Sequence, residues 1–335
     1  MINGITSTLK QVDYILHVAD IHIRNWKRHK EYREVFDKLY QEVDKLPPNS
    51  IVTVGGDIVH AKTDMSPELI SMVTGFFEQL GNRVPTIVIA GNHDTNLNNN
   101  HRLDALTPIL EALKHPNVFY LRDSGVYCVG DLAISVMSLL DPPSKYPTAD
   151  KLEAVGYGEN YKKVAMYHGT IANSAVDSGL VISHGLNWDT FAGFDLVLLG
   201  DIHKRQILVP SDPLTFYVGS LIQQSFGESF DGHGYALVDL TKGYDLTFHD
   251  IPNQYSFYTI DVEGGVLPKG LPISAKTNVR LRIKGTTSNQ LKDILTTLRK
   301  EYGVLEVTVN DLDRIGGGST SDQIGSGIYQ GDIRN

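Results

Sequence analysis

Short apolar runs alternate with helical patterns through the first two-thirds of the chain. YILHVAD (14–20) reads as a strand. Between 31 and 46, Val35, Phe36, Leu39, Val43 and Leu46 recur at helical spacing, and Pro47-Pro48 is placed to stop that helix. SIVTVGGD (50–57) predicts a second strand, followed by a helix from Pro67 to Leu80. TIVIAGNHD (86–94) predicts a third, followed by a helix over 102–114. Consecutive short strands are expected from Val118 to Leu139. KVAMYHG (163–169) and DLVLLGDIH (195–203) return to the buried-strand pattern, and further strands are expected across 207–250. Strands alternating with helices indicate an α/β class. The composition shifts at Pro252. Beyond it, strand 278–284, helix 289–301 and strand 303–309 predict a small α+β unit, its helix carrying a stripe of Leu291, Ile294, Leu295 and Leu298 and capped by Ser288. The expected division is 1–251, 252–313 and a flexible Gly/Ser-rich tail, 314–335, with six glycines after residue 315.

Composition narrows the class. With 335 residues, 41% hydrophobic and 21% charged, the chain is that of an ordinary globular protein, of two domains or of one large α/β domain with an appendage. No stretch free of Asp, Glu, Lys and Arg exceeds the fifteen residues of 213–227, so no membrane-spanning helix is expected. The first residues lack a basic region followed by an apolar block, so no secretory signal is expected. Cys128 is the sole cysteine, which fits an intracellular, reducing compartment and excludes an internal disulfide. The net charge of −9 argues against a nucleic-acid partner, because such binding draws most of its affinity from phosphate contacts.

Five of the apolar runs end alike, in groups that bind metals: Asp20-Ile21-His22, Gly56-Asp57, Gly91-Asn92-His93-Asp94, His168-Gly169 and Gly200-Asp201-Ile202-His203. Ligands in open α/β sheets bind at the carboxyl ends of strands, so five strands of one sheet would deliver these side chains to one crevice. Imidazole and carboxylate without thiolate suit first-row divalent ions and not a structural zinc site. Seven ligands exceed what one ion needs and divide between two, the arrangement that clamps an in-line displacement at phosphorus. Other histidines carry less. His17, inside a strand, reads as a packed core residue, and His184 and His233 do not follow apolar strands. His29, His101, His115 and His249 read as surface or helix residues, and Cys128 as a buried small hydrophobe.

This order of motifs resembles the calcineurin-like metallophosphoesterases. The resemblance implies an α-β-β-α sandwich of two mixed sheets flanked by helices. It also implies one metal on Asp20, His22, Asp57 and His203, with a second on Asp57, Asn92, His168 and Asp201. Hydroxide between them would attack phosphorus, and His93, oriented by Asp94, would protonate the leaving oxygen. GGDIVH with His60, GDIHKRQ (200–206), FYVGSLIQQSFGE (216–228) and HGYALVDL (233–240) narrow it. Together they are similar to the nuclease subunit of double-strand-break repair complexes, of the SbcD or meiotic-recombination type, over residues 12–310. That resemblance implies a DNA-positioning role for His60, a C-terminal capping domain that shapes the DNA cleft, a homodimer, and an SbcC-type coiled-coil ATPase partner. The chain departs from the family at two places. Asp201 stands where most members carry histidine, which favours Mn²⁺ or Mg²⁺. Residues 316–335 lack the pattern of the helix that docks the ATPase.

Arg24, Lys27, Arg28, Lys30 and Arg33 follow the first ligand pair and predict a phosphate-backbone contact, with Trp26 available for stacking. Two divalent ions would offset four of the negative charges, and a basic segment borders the site, so the charge no longer excludes DNA. The expectation is a Mn²⁺-dependent DNA exo- or endonuclease, cellular or virus-encoded. The alternatives are a metallophosphoesterase for small phosphodiesters or phosphoproteins, and a non-catalytic scaffold of the same fold.

Overall fold

Each apolar run of the first two-thirds becomes a strand, and the strands sort into two sheets. In chain order they are β1 (Ile2–Gly4), β2 (Tyr14–Val18), β3 (Ser50–Val54), β4 (Thr86–Val88), β5 (Val118–Tyr120), β6 (Gly125–Val129), β7 (Leu132–Met137), β8 (Lys162–His168), β9 (Leu196–Gly200), β10 (Gln206–Val209), β11 (Leu214–Tyr217), β12 (Gly234–Asp239) and β13 (Asp245–Asp250). A seven-stranded sheet has the order β1-β6-β7-β8-β9-β11-β10, and a six-stranded sheet β13-β12-β2-β3-β4-β5. Both are mixed: β2 to β5 run parallel, whereas β12 is antiparallel to β2, and β6 to β7. This computed structural model describes residues 2–5, 9–99, 101–154, 156–158 and 160–315, and most of the tail expected at 314–335 lies outside them. Among the described residues no helix is long and apolar enough to cross a membrane.

Strand alternation builds three apolar layers. Leu16, Val18, Val52 and Val54 point from the six-stranded sheet toward α1 (His29–Val43), α2 (Pro67–Gly81) and α3 (Thr107–Leu113). Ile15, Ala19, Ile51 and Ile87 point the other way and meet Val164, Met166, Leu196, Leu198 and Phe216 of the seven-stranded sheet. That sheet's outer face packs against α4 (Ala149–Ala154), Ile171, Phe191 and Phe194. Two of the helices on the six-stranded sheet begin or end away from their expected positions. α1 stops at Val43, before the prolines. α3 starts five residues later than the 102 expected, because the Asp104 carboxylate accepts from the amides of Leu106 and Thr107 (3.0 and 2.7 Å) and holds the preceding turn. Cys128, expected to be buried, is half-buried.

Residues up to 222 together with 231–252 form one compact unit; residues 223–230 together with those from 253 onward form a second. The second unit holds a three-stranded parallel sheet of β14 (Ser256–Glu263), β15 (Thr277–Lys284) and β16 (Glu306–Asp311). β14 was not expected, although SFYTIDVE alternates. α5 (Ser288–Thr297) covers the sheet through Ile294, and Leu298 follows in the same core with Val279, Leu281 and Ile283. Its N-cap is Thr287, one residue before the expected Ser288. Thr287 and Gln290 form a capping box, which satisfies two amides where a lone serine would satisfy one. The 223–230 segment belongs here through side chains. Gln223 pairs with both the amide and the carbonyl of Phe257 (2.8 and 3.1 Å), and the Arg280 guanidinium lies 4.2 Å from the centre of the Phe226 ring.

His17 lies between the two large sheets, fully buried, as its place in a strand predicts. Its Nδ1 meets the Thr53 hydroxyl (2.8 Å) and its Nε2 the Leu199 carbonyl (3.2 Å), joining β2 and β3 to β9. Burial holds its pKa down at about 4, from an ordinary 6.5. The unfolded chain therefore takes up a proton at His17 that the folded chain refuses. Its contribution is complete above pH 6.5 and is lost as pH falls toward 4, a loss on the order of 3 kcal/mol. Urea unfolding across this range will show a shallower pH dependence for His17→Gln than for wild type; parallel curves would contradict the assignment.

Candidate metal centre

The donor groups follow β2, β3, β4, β8 and β9, as expected, but these strands belong to two sheets and not one. Three come from the six-stranded sheet and two from the seven-stranded sheet, so the crevice lies at the carboxyl ends of strands from both sheets. The parallel β2–β3 ladder continues beyond its strands. Asp20 N donates to Gly56 O (3.1 Å), His22 N to Asp57 O (2.9 Å), Ile23 N to Ile58 O (2.8 Å), and His60 N back to Ile23 O (3.0 Å). Keeping these bonds while aiming the side chains at one point bends the backbone. Asp20, His22, Asp57 and Asp201 all adopt positive φ (52°, 51°, 53° and 101°). Each such residue costs about 1–3 kcal/mol, a strain typical of sites that must hold a fixed geometry.

The seven residues converge. One donor atom from each of Asp20, His22 and His203 lies within 4.8 Å of the others, and the same holds for Asp20, Asp57 and His168. Asp57 lies between the groups, with Oδ2 3.4 Å from His22 Nε2 and Oδ1 3.4 Å from His168 Nε2. Asn92 Oδ1 and Asp201 Oδ1 stand 3.0 and 3.9 Å from the same His168 nitrogen. His22 and His203 face each other through their Nε2 atoms at 2.9 Å.

This set fits divalent cations for a reason internal to it. His168 Nδ1 donates to the Gly55 carbonyl (2.7 Å), so a neutral His168 presents a bare Nε2 lone pair to three oxygen acceptors. Only a proton or a metal ion between them makes that arrangement favourable. The ionisations report the same tension. Burial disfavours a charged His168, yet Asp57, Asp20 and Asp201 raise its pKa well above the ordinary value. Burial also opposes ionisation of Asp57, but His168, His22 and His93 hold its carboxyl far below the usual range. Burial lifts Asp20 to about 7 and, against the pull of Asp57, lowers His22 to about 2.

Residues 14–205 match the calcineurin-like phosphoesterases, more than half of the chain. The chain belongs to that family. Calcineurin-like phosphoesterases work with divalent metals, and the two donor groups are where such ions would be held. Among relatives, protein R555 of Acanthamoeba polyphaga mimivirus is 38% identical over 89% of this chain, which spans only 22% of that protein. Protein 078R of invertebrate iridescent virus 3, named as a candidate phosphoesterase, is 27% identical over 69% of the chain, which spans 64% of it. Solved structures that align include an archaeal phosphodiesterase (16% identity, TM-score 0.35, 70% of this chain and 98% of that one). A second is the nuclease MPE of Pseudomonas putida (14%, TM-score 0.31, 68% and 85%).

Within the phosphoesterase site, two expected roles change. Asp94 does not orient His93. Its buried carboxylate accepts from the amides of Gly91 (2.9 Å), Val59 (2.9 Å) and Ile58 (3.2 Å), tying the loop after β4 to the loop after β3. Burial, with Asp57 nearby, raises its pKa to about 7 despite those bonds. His93 is oriented by a backbone group: its Nδ1 donates to the His60 carbonyl (2.6 Å), and its amide donates to Asp57 Oδ1 (2.8 Å). The basic segment also divides. Lys27, Lys30 and Arg33 are exposed, and Trp26 is 67% exposed. Arg28 instead folds onto the buried Glu31 in a two-bond ion pair (2.7 and 2.8 Å), and Arg24 reaches His60 Nε2 (3.2 Å). Each of the two therefore has a side-chain partner within the protein.

The residues that support these donor side chains are not among the expected site residues. Thr170 Oγ1 donates to Asp201 Oδ2 (2.8 Å), Lys62 Nζ to Asn92 O (2.9 Å), Ser220 N to His203 O (3.1 Å), and the buried Tyr32 hydroxyl to His22 O. Thr170 and Lys62 lie near a ligand motif in sequence and Ser220 lies within FYVGSLIQQSFGE, whereas Tyr32 carries no local signal. Gly91 admits no side chain: a Cβ there would lie 2.1 Å from Asp57 Oδ1 and 2.5 Å from Asp57 N. Gly91→Ala should therefore keep its far-ultraviolet circular dichroism yet lose calorimetric Mn²⁺ binding at the Asp57 groups. Undiminished binding would show that the site tolerates displacement of Asp57.

Proposed function

We propose that this phosphoesterase is a Mn²⁺-dependent nuclease that hydrolyses phosphodiester bonds in DNA during double-strand-break repair or recombination. The observation that carries this reading is a pair of donor groups that share Asp20 and are spanned by Asp57, which reaches His22 on one side and His168 on the other, with His93 Nε2 left open beside them. Asp20, His22, Asp57 and His203 would hold one ion, and Asp57, Asn92, His168 and Asp201 the other. Divalent ions bound there polarise a phosphoryl oxygen and make hydroxide available at neutral pH. His93, its Nδ1 fixed on the His60 carbonyl, can transfer a proton from Nε2 to the departing oxygen. Exposed Lys27, Lys30 and Arg33, with Trp26 among them, provide charge and a stacking face for a nucleic-acid strand. The motifs of 216–240 favour DNA over small phosphodiesters. The same reading gives the unit beyond Pro252 a capping role, and adds a second copy of the chain and an SbcC-type ATPase as partners.

End-labelled single- and double-stranded DNA, resolved on a sequencing gel with and without Mn²⁺, tests the substrate. Cleavage of phosphoserine peptides or cyclic nucleotides in preference to DNA would overturn it. His93→Gln should slow DNA cleavage by roughly 10²–10⁴-fold while retaining two ions per chain. Asp201→Asn removes the carboxylate that Thr170 orients, so it should weaken binding of the second ion and suppress turnover. An unchanged Mn²⁺ stoichiometry and rate would contradict its role.

A further inference from the structure

One ring nitrogen from each of His22, His60 and His93 lies within 4.8 Å of the others, a spacing that would also suit a cation. His60 is set apart by its neighbour. Arg24 Nη1 lies 3.2 Å from His60 Nε2, and a guanidinium has five N–H donors, no acceptor and a permanent charge. The His60 nitrogen facing it must therefore accept, and the ring proton must reside on Nδ1. That Nδ1 is shielded from solvent and has no hydrogen-bond partner. Its ring lies edge-on to His22 (5.6 Å between centroids) and stacked on His93 (5.6 Å). The ring is neutral in this arrangement, because a doubly protonated imidazole would have no lone pair at Nε2 to offer Arg24. The Arg24 backbone is held in place, because its carbonyl accepts from His29 Nε2 (2.8 Å) and the adjoining Ile23 is part of the β2–β3 ladder.

We infer that Arg24 is a positioning residue that locks His60 as the neutral Nδ1–H tautomer, turning it from a cation ligand into a hydrogen-bond donor for an oxygen of the reacting phosphodiester. A bound cation would need the lone pair that the Nδ1 proton occupies, and Arg24 places a positive charge beside the ring's other nitrogen. A neutral donor suits charge that builds on phosphoryl or leaving-group oxygen, since it strengthens its bond there without delivering a proton. The donor role rests on the phosphodiesterase reading; the tautomer does not.

The two parts separate experimentally. In the ¹⁵N-labelled, metal-free chain, long-range imidazole ¹H–¹⁵N spectra, with His60→Ala to assign the signals, should show a protonated His60 Nδ1 and a bare Nε2. In Arg24→Met the proton should move to Nε2, the tautomer that free imidazole side chains favour, and Arg24→Lys, also a pure donor, should restore it. A wild-type Nε2–H tautomer, or the same tautomer in Arg24→Met, would overturn the role of Arg24. With Mn²⁺ and bis(p-nitrophenyl) phosphate, Arg24→Met should lower kcat by a factor on the order of 10², with KM and metal stoichiometry held within about twofold. A raised KM at unchanged kcat would instead make Arg24 a simple phosphate contact and overturn the donor role. If wild type hydrolyses no phosphodiester, the phosphodiesterase reading and the donor's acceptor fall together, while the spectra still decide what Arg24 does.

Discussion

Three carboxylates, Asp20, Asp57 and Asp94, are taken almost completely out of water within one crevice, and the surrounding structure answers to that constraint. Buried charge is tolerated only where it is paired, hydrogen-bonded or bound to metal. Each of the three meets the demand differently. Asp94 satisfies it with backbone amides and becomes a tie between loops. Asp57 satisfies it with imidazoles on both sides. Asp20 receives one backbone amide shared between its oxygens, and burial shifts it toward the neutral form, so it has the most to gain from a cation.

Because the imidazoles and carboxylates come from two sheets, the match between the sheets must be held to a fraction of an ångström. The interlayer core supplies bulk contact but little register, since apolar contacts are not directional. Register comes from polar pins. His17 joins β2 and β3 to β9 just before Gly200, His168 reaches the Gly55 carbonyl, and the Asp201 amide donates to both Asp20 oxygens. The left-handed backbone at four ligand positions indicates which requirement prevailed: aim was kept at the cost of local conformation.

The cluster of donor side chains was legible in the sequence because each of them ends an apolar run, and the end of a strand is a local property of the chain. What escaped was non-local. Five similar strand ends do not say how many sheets they belong to; that depends on β12 pairing with β2, which separates β2 from β9. Asp94 next to His93 suggests a pair, whereas its true partners lie at Ile58 and Val59. Arg24 and Arg28 read as two members of one basic run, until Glu31 and His60 give each its own partner. The 3.6-residue period located α1 and α2 well, but helix ends went to side chains such as Asp104 and Thr287, whose capping depends on rotamer and not on pattern.

The attachment of residues 223–230 to the second unit has an evolutionary consequence. The chain leaves the first unit after Ile222, contributes Phe226 to the second, returns for β12 and β13, and leaves again after Pro252. A gene fusion adds or removes one continuous stretch, and no single stretch here contains the whole second unit. Cutting after Pro252 would strand Phe226 and Gln223 without Phe257 and Arg280. A single cut therefore cannot separate the two units, and moving the second unit whole to another scaffold would require transferring two separate stretches of chain.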